Sequence, residues 1–337
     1  MDSFAFGLTL LVFASFFQGT FGLGMKYTEP LKWEAWWLVH ATTAMILLPI
    51  LAAMTFVPNL FDVIAATPAD VKMYAMIFGA AWGIGGIMFG KCVPYIGMSL
   101  TYGIVLGLCA IVGSLIPYFT MEQPDMTALP KVLGGDALLL IGVGVAAYAG
   151  IMKDKMTGDS NQSNLKVGLI IAIISGVMSA MLGIGFSEGL PIRDIAADVM
   201  AKDQTDVDMG ANLRNGSLAV WVVVLWGGFA INAFYAIFLL FKNNSWGSFA
   251  TLKSGKAYTW SIIAALTWFG ALAIYGQGVS MMGDIGPVIG WPMLMGGGLI
   301  VSNVWAYRSG EWDGVAKPFK VLLFGIALII VATIVMA

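Results

Sequence analysis

Polar and charged residues leave ten long apolar runs along the chain: 4–25, 35–57, 72–92, 95–119, 132–152, 165–187, 212–241, 257–281, 285–307 and 318–336. A helix crossing the hydrocarbon core of a bilayer needs about 20 mostly apolar residues, and each run supplies roughly that length. The runs are too long for barrel strands, and in lipid only a helix satisfies its own backbone. The pattern therefore predicts an all-α integral membrane protein with ten transmembrane helices. One long polar connection, 188–211, carries Glu188, Arg193, Asp194, Asp198, Lys202, Asp203, Asp206 and Asp208, and a short surface helix is expected in it from Pro191 to Lys202.

Composition strengthens this reading. The chain is 59% hydrophobic and 11% charged, against about 25% charged residues in soluble domains. A net charge of −2 offers no basic surface to nucleic acid. The first basic residue, Lys26, follows the first apolar run, which predicts a retained helix rather than a cleaved leader. Of the 17 Lys and Arg residues, 12 fall after helices 1, 3, 5, 7 and 9. That side is expected to be cytoplasmic, with both termini and the 188–211 loop outside a plasma (inner) membrane.

Little in the chain suits an enzyme, a cofactor or a metal. There is one histidine, and both cysteines, Cys92 and Cys109, lie inside apolar runs. Neither H-E-x-x-H nor G-x-S-x-G is present, so no catalytic residue is expected. Gly85 to Lys91 spells G-x-x-x-x-G-K, but Cys92 follows where a Mg²⁺-binding Ser or Thr belongs, and the stretch ends an apolar helix. It reads as a coincidence of glycines.

An internal duplication gives the ten helices an order. Trp82, Phe89, Gly90 and Gly97 recur as Trp268, Tyr275, Gly276 and Gly283, each 186 positions later. Gly7-Leu8 and Gly22-x-Gly24 recur as Gly168-Leu169 and Gly183-x-Gly185, 161 positions later. Two repeats follow, 1–152 and 153–337, the second including the long loop. Each has five helices, an odd number, so the repeats are expected to be inverted in the membrane. Inverted repeats hold a substrate at their interface and permit alternating access.

The run WGIGGIMFGKCVPYIGMS (82–99), with YGIVLGLCAIVGSLIP (102–117), LKWEAWW (31–37), ILLPI (46–50), WGGFAIN (226–232) and GEW (310–312), resembles the L-rhamnose–proton symporters of the drug/metabolite transporter superfamily. The resemblance spans nearly the whole chain. It implies proton-coupled import of a small sugar, L-rhamnose or a related deoxyhexose, through ten helices in two inverted halves. MGDIGPVIG (282–290) and Lys91 depart from that family's pattern, so the family is named and the sugar is not. Competing expectations are an exporter or facilitator of another metabolite on the same fold, or a membrane sensor derived from it. The partners expected are the sugar, protons and the lipid bilayer, with the chain a monomer.

Sugar recognition calls for aromatic faces and for amides that bond hydroxyls. Mid-run residues of those kinds are Gln18, Trp82, Asn232, Tyr235, Trp268, Tyr275 and Gln277. Helix packing and helix–helix hydrogen bonding are the alternative roles for them. Trp36, Trp37 and Trp312, near run ends, read as interfacial belt residues. No carboxylate falls at the centre of a run, which leaves Glu188 and Asp284, near run ends, as proton-accepting candidates. Glu29 and Glu34 flank the second run and are expected to reach water. His40, about one turn into that run, is a third proton-coupling candidate.

Overall fold

A computed structural model describes residues 3–121, 123–158, 164–202 and 204–336, without the side chains of Met98 and Ser99. Asp203 of the long loop lies outside the described residues. Among the described residues the chain is entirely helical apart from turns, and ten helices are long and apolar enough to cross a membrane. They are α1 (Ser3–Tyr27), α2 (Trp33–Phe56), α3 (Ala69–Gly97), α4 (Leu100–Thr120), α5 (Leu129–Thr157), α6 (Leu165–Glu188), α7 (Met209–Lys242), α8 (Gly255–Val279), α9 (Gly286–Arg308) and α10 (Ala316–Met336). The protein is thus a multi-pass membrane protein. Gly97, at φ 78°, breaks the backbone between α3 and α4, a conformation in which any side chain would be strained.

Two compact units divide the chain, one of residues 1–83 and 185–283, the other of 84–184 and 284–337. At the centre of the first is α7. From Leu218 to Leu225 every residue is buried, and a helix apolar on all sides belongs inside its bundle. Small residues let its neighbours close in. A Cβ on Gly79 of α3 would overlap the Val224 carbonyl, and one on Gly227 of α7 would overlap the Met76 carbonyl. On the other side α1 lies against α8, where a Cβ on Gly7 would stand 2.7 Å from the Gly278 carbonyl oxygen.

The second unit is built on the antiparallel pair α5 and α10. A Cβ on Gly142 would come within 2.9 Å of the Gly325 oxygen, and one on Gly325 within 2.8 Å of the Gly142 oxygen. Gly103 of α4 makes room for Ala147 of α5, and Gly168 of α6 for Ile96 of α3. Without a hydrophobic drive between helices in lipid, close van der Waals packing of this kind holds a membrane bundle together.

Several local features depart from ten plain spans. Helix α2 contains a π-helical turn, Thr43–Leu47, in which the Leu48 N–H reaches the Thr43 carbonyl. Pro49 follows it, with no N–H to return to the preceding turn. A short helix, Leu60–Ala66, separates α2 from α3, and Lys72 Nζ caps its last carbonyls, donating to Ile64 O at 3.0 Å and Ala65 O at 3.3 Å. The polar connection at 188–211 is largely helical: Leu190–Lys202 is an amphipathic helix that buries Ile192, Ala196, Ala197 and Met200. Gly216 of α7 lies under its Arg193 carbonyl, so this helix is docked on α7 rather than left on the surface.

Glu34 does not reach water as its place beside the second run suggested. It is buried at the start of α2, where Oε1 accepts from Ser245 Oγ at 2.5 Å and Asn243 Nδ2 at 3.0 Å. The carboxylate ties α2 to the turn after α7. Glu34→Ala, which strands two donors, is expected to cost about 1–3 kcal/mol of stability. Glu34→Gln, which keeps an acceptor, should cost less; thermal melting of the purified protein compares the two.

Candidate functional site

Trp33, Trp36, Trp37 and His40 stand at i, i+3, i+4 and i+7 of α2, the spacing that puts them on one helix face. Their rings pack into a continuous stack. Trp33 lies on Trp37 at 5.5 Å between centroids, Trp37 on His40 at 5.0 Å, and Trp36 on His40 at 5.5 Å with the rings 3° apart. Trp268 of α8 meets His40 edge-on at 6.2 Å and stacks on Trp82 of α3 at 5.3 Å. The two tryptophans paired by the internal repeat therefore touch. Gly228 of α7 leaves the space that Trp82 fills: a Cβ there would stand 3.0 Å from its ring.

Asn232, one turn beyond Gly228, is the polar joint of this cluster. Its Nδ2 donates to the Gly228 carbonyl at 2.9 Å, and its Oδ1 accepts from Trp37 Nε1 at 3.0 Å. Tyr235, one turn further, meets Trp33 edge-on at 6.5 Å. From α1, Phe21 packs at 6.4 Å from His40, with Gln18 one turn before it. Two buried polar atoms of the cluster, Trp36 Nε1 and His40 Nδ1, make no hydrogen bond, and neither does Gln18 Oε1 on α1. Buried polar atoms are nearly always paired, so unused ones mark places where a ligand or water can bond. Indole faces and free hydrogen-bonding capacity, side by side, are what a sugar ring needs.

The structure brings four of the expected substrate-binding residues into one cluster, Trp82, Trp268, Asn232 and Tyr235, while Gln18 lies on α1 one turn before Phe21. Tyr275 lies apart, fully buried in a second aromatic group with Phe186 at 5.5 Å and Trp221 at 6.1 Å. Gln277 is half-buried further along α8, and Glu188 is half-buried at the end of α6. Asp284 belongs to the other unit and is exposed on the turn Gly283–Ile285.

Trp36 and Trp37 are not belt residues. Trp36 is fully buried and Trp37 half-buried, both within the cluster. Their i, i+3, i+4, i+7 spacing with Trp33 and His40 is the signal that identifies them. Trp312 is buried as well, with its ring 5.9 Å from Phe319 and under Lys153 Nζ at 5.0 Å. A buried carboxylate also escapes the reading by run ends. Asp136 lies two turns inside α5, only 3% exposed, and close enough to the edge of the run at 132 to pass for an interfacial group.

The sequence matches a known family and known proteins along most of its length. The family model described as L-rhamnose-proton symport protein (RhaT) matches residues 4–337. An L-rhamnose-proton symporter of Yersinia pestis (strain Pestoides F) is 26% identical over 318 residues, covering 91% of this chain and 90% of that protein. One from Mannheimia succiniciproducens is 27% identical over 319 residues, with the same coverage of 91% and 90%. On a match that runs almost from end to end, the chain belongs to the L-rhamnose-proton symport protein family.

Proposed function

We propose that this protein imports a small sugar, L-rhamnose or a related deoxyhexose, together with protons, by alternating access. The observation that carries the reading is the cluster of Trp37, His40, Trp82, Trp268 and Asn232. Stacked indoles cover the apolar face of a pyranose, while Asn232, Gln18 and the free nitrogen of His40 bond its hydroxyls. Both termini face outside in this reading, which follows the positive-inside bias.

Two pairs of contacts support the inverted repeats. Gly7 packs on Met282, and Gly168 on Ile96; Gly24 packs on Ala264, and Gly185 on Phe78. Adding 161 to each first residue, or 186 to each α3 residue, turns one contact of a pair into the other. The first and third helices of each half thus exchange partners with the opposite half, as two-fold related repeats would. Such halves can rock about a shared substrate.

The test is uptake of radiolabelled L-rhamnose by proteoliposomes. Accumulation driven by an acid exterior, and its collapse on adding a protonophore, is the expected result. Equilibration unaffected by the protonophore would make the protein a facilitator. Binding without uptake would make it a sensor.

A further inference from the structure

We propose that Asp136 of α5, opposite Ser114 of α4, carries the proton that moves with the sugar. The inference rests on the symport reading and adds to it a group in the second unit. Asp136 is 3% exposed and Ser114 fully buried, and neither the carboxyl oxygens nor the hydroxyl makes a hydrogen bond. Ser114 is nonetheless the polar side chain that faces the carboxyl.

Apart from the Ser114 hydroxyl, the surroundings offer a carboxylate charge nothing. Next to Asp136 on α5, Gly135 is covered by Met336 of α10, and Leu139, one turn on, is buried near Gly296 of α9. Towards the start of α5, Tyr118, Val132 and Val288 form a buried apolar group that separates Asp136 from that end of the helix. The titratable and charged side chains on the packed elements all point or lie elsewhere. On α4, Tyr118 donates its hydroxyl to the Asp125 carbonyl at 2.6 Å, while Cys109 and Tyr102 sit more than one and three turns before Ser114. On α5, Lys131 is exposed, Tyr148 is exposed and Lys153, Asp154 and Lys155 come about 25 Å further along the helix. On α10, Lys317 and Lys320 lie at the end remote from Met336, and on α9 Tyr307 and Arg308 close the helix while Asp284 is exposed ahead of it.

A carboxylate charge shut in here would be uncompensated, and burying one costs several kcal/mol. The neutral acid is compatible with this closed arrangement; the anion requires water to reach it. That is the property a coupling group needs. Asp136 gives its proton to water only in a state in which the Tyr118–Val132–Val288 group has parted, and it takes a proton from water before that group closes again. The carboxyl O–H bond breaks and re-forms, and no other co-reactant takes part. His40 remains available to bond the sugar.

Full-length protein in proteoliposomes, with L-rhamnose as the probe, decides the matter. One pH unit, acid outside, is worth about tenfold accumulation through a one-proton symporter. The wild-type protein should reach that level and move protons inward with the sugar, read by a trapped pH dye. Asp136→Asn should lose both accumulation and sugar-driven proton movement while keeping rhamnose–rhamnose exchange; Asp136→Glu should keep coupling. An Asn variant that still accumulates rhamnose and moves protons overturns the assignment and leaves the symport reading standing. Wild-type protein that moves rhamnose without protons, or not at all, overturns both. Should the Asn variant fail to fold, dicyclohexylcarbodiimide, which attacks protonated carboxyls in apolar sites, serves on wild-type protein. Labelling of Asp136, mapped by mass spectrometry and accompanied by loss of proton-coupled uptake, is expected. Coupling lost with Asp136 unlabelled would sink the proposal.

Discussion

Alanine at Gly227 is expected to disrupt the unit that holds the aromatic cluster, while alanine at Gly86 or Gly90 leaves the protein intact. All three substitutions add one methyl group to an apolar helix. At Gly227 that methyl would overlap the Met76 carbonyl on α3, a backbone atom that cannot rotate away. At Gly86 and Gly90 a Cβ meets nothing within 4 Å. Overpacking against a neighbouring backbone costs about 1–3 kcal/mol and sometimes more, and here the two helices would have to part. Gly79 presses on the Val224 carbonyl across the same gap, so the Gly79→Ala and Gly227→Ala penalties should not add: once the helices separate, the second methyl costs little. The check is the temperature at which detergent-purified protein loses its monodisperse chromatographic peak. A Gly227→Ala melting point equal to that of Gly86→Ala would refute the packing described for α3 and α7.

Asn232→Leu is the substitution expected to damage sugar recognition most. It removes the acceptor of the Trp37 indole and the polar joint between α2 and α7. The Gly228 carbonyl keeps its place in the helix, so the fold should survive with a loss of about 1–3 kcal/mol from the stranded indole N–H. Losing a neutral sugar hydrogen bond of about 0.5–1.5 kcal/mol as well would raise the Kd for L-rhamnose roughly 2–10-fold. Thermal stabilisation by L-rhamnose measures this without requiring transport. A companion pair tests the stack: Trp82→Ala and Trp268→Ala, singly and together, should show about 0.5–1.5 kcal/mol of coupling in stability. Unchanged rhamnose stabilisation in Asn232→Leu would move the substrate away from this cluster.

Ten membrane spans were legible in the chain because length and apolarity are properties of a segment by itself. The eighth run, 257–281, became Gly255–Val279, and the tenth, 318–336, became Ala316–Met336. The tryptophans at 82 and 268 were also legible as a related pair, since their fixed offset needs only counting. Which face of each helix turns inward was not legible. Lipid tails are as apolar as a protein core, so a residue facing a neighbouring helix and one facing lipid leave the same trace in composition. Fully buried Trp36 and widely exposed Phe234 both sit in apolar runs, and only their neighbours separate them.

Polar groups show the same division. Asn232 drew attention because an amide inside an apolar run must find a partner, and the structure supplied one from a helix almost two hundred residues earlier. Asp136 drew none, because its place near the edge of a run matches that of a residue reaching into water. Around it, Met336 packs on neighbouring Gly135, and Tyr118 and Val288 pack with Val132 one turn before, each from a different helix. The order of polar and apolar residues along the chain therefore determined the class of protein and the number of spans. The tertiary structure decided which side chains are shut away from water, because burial inside a membrane bundle is a relation between helices and is absent from any one of them.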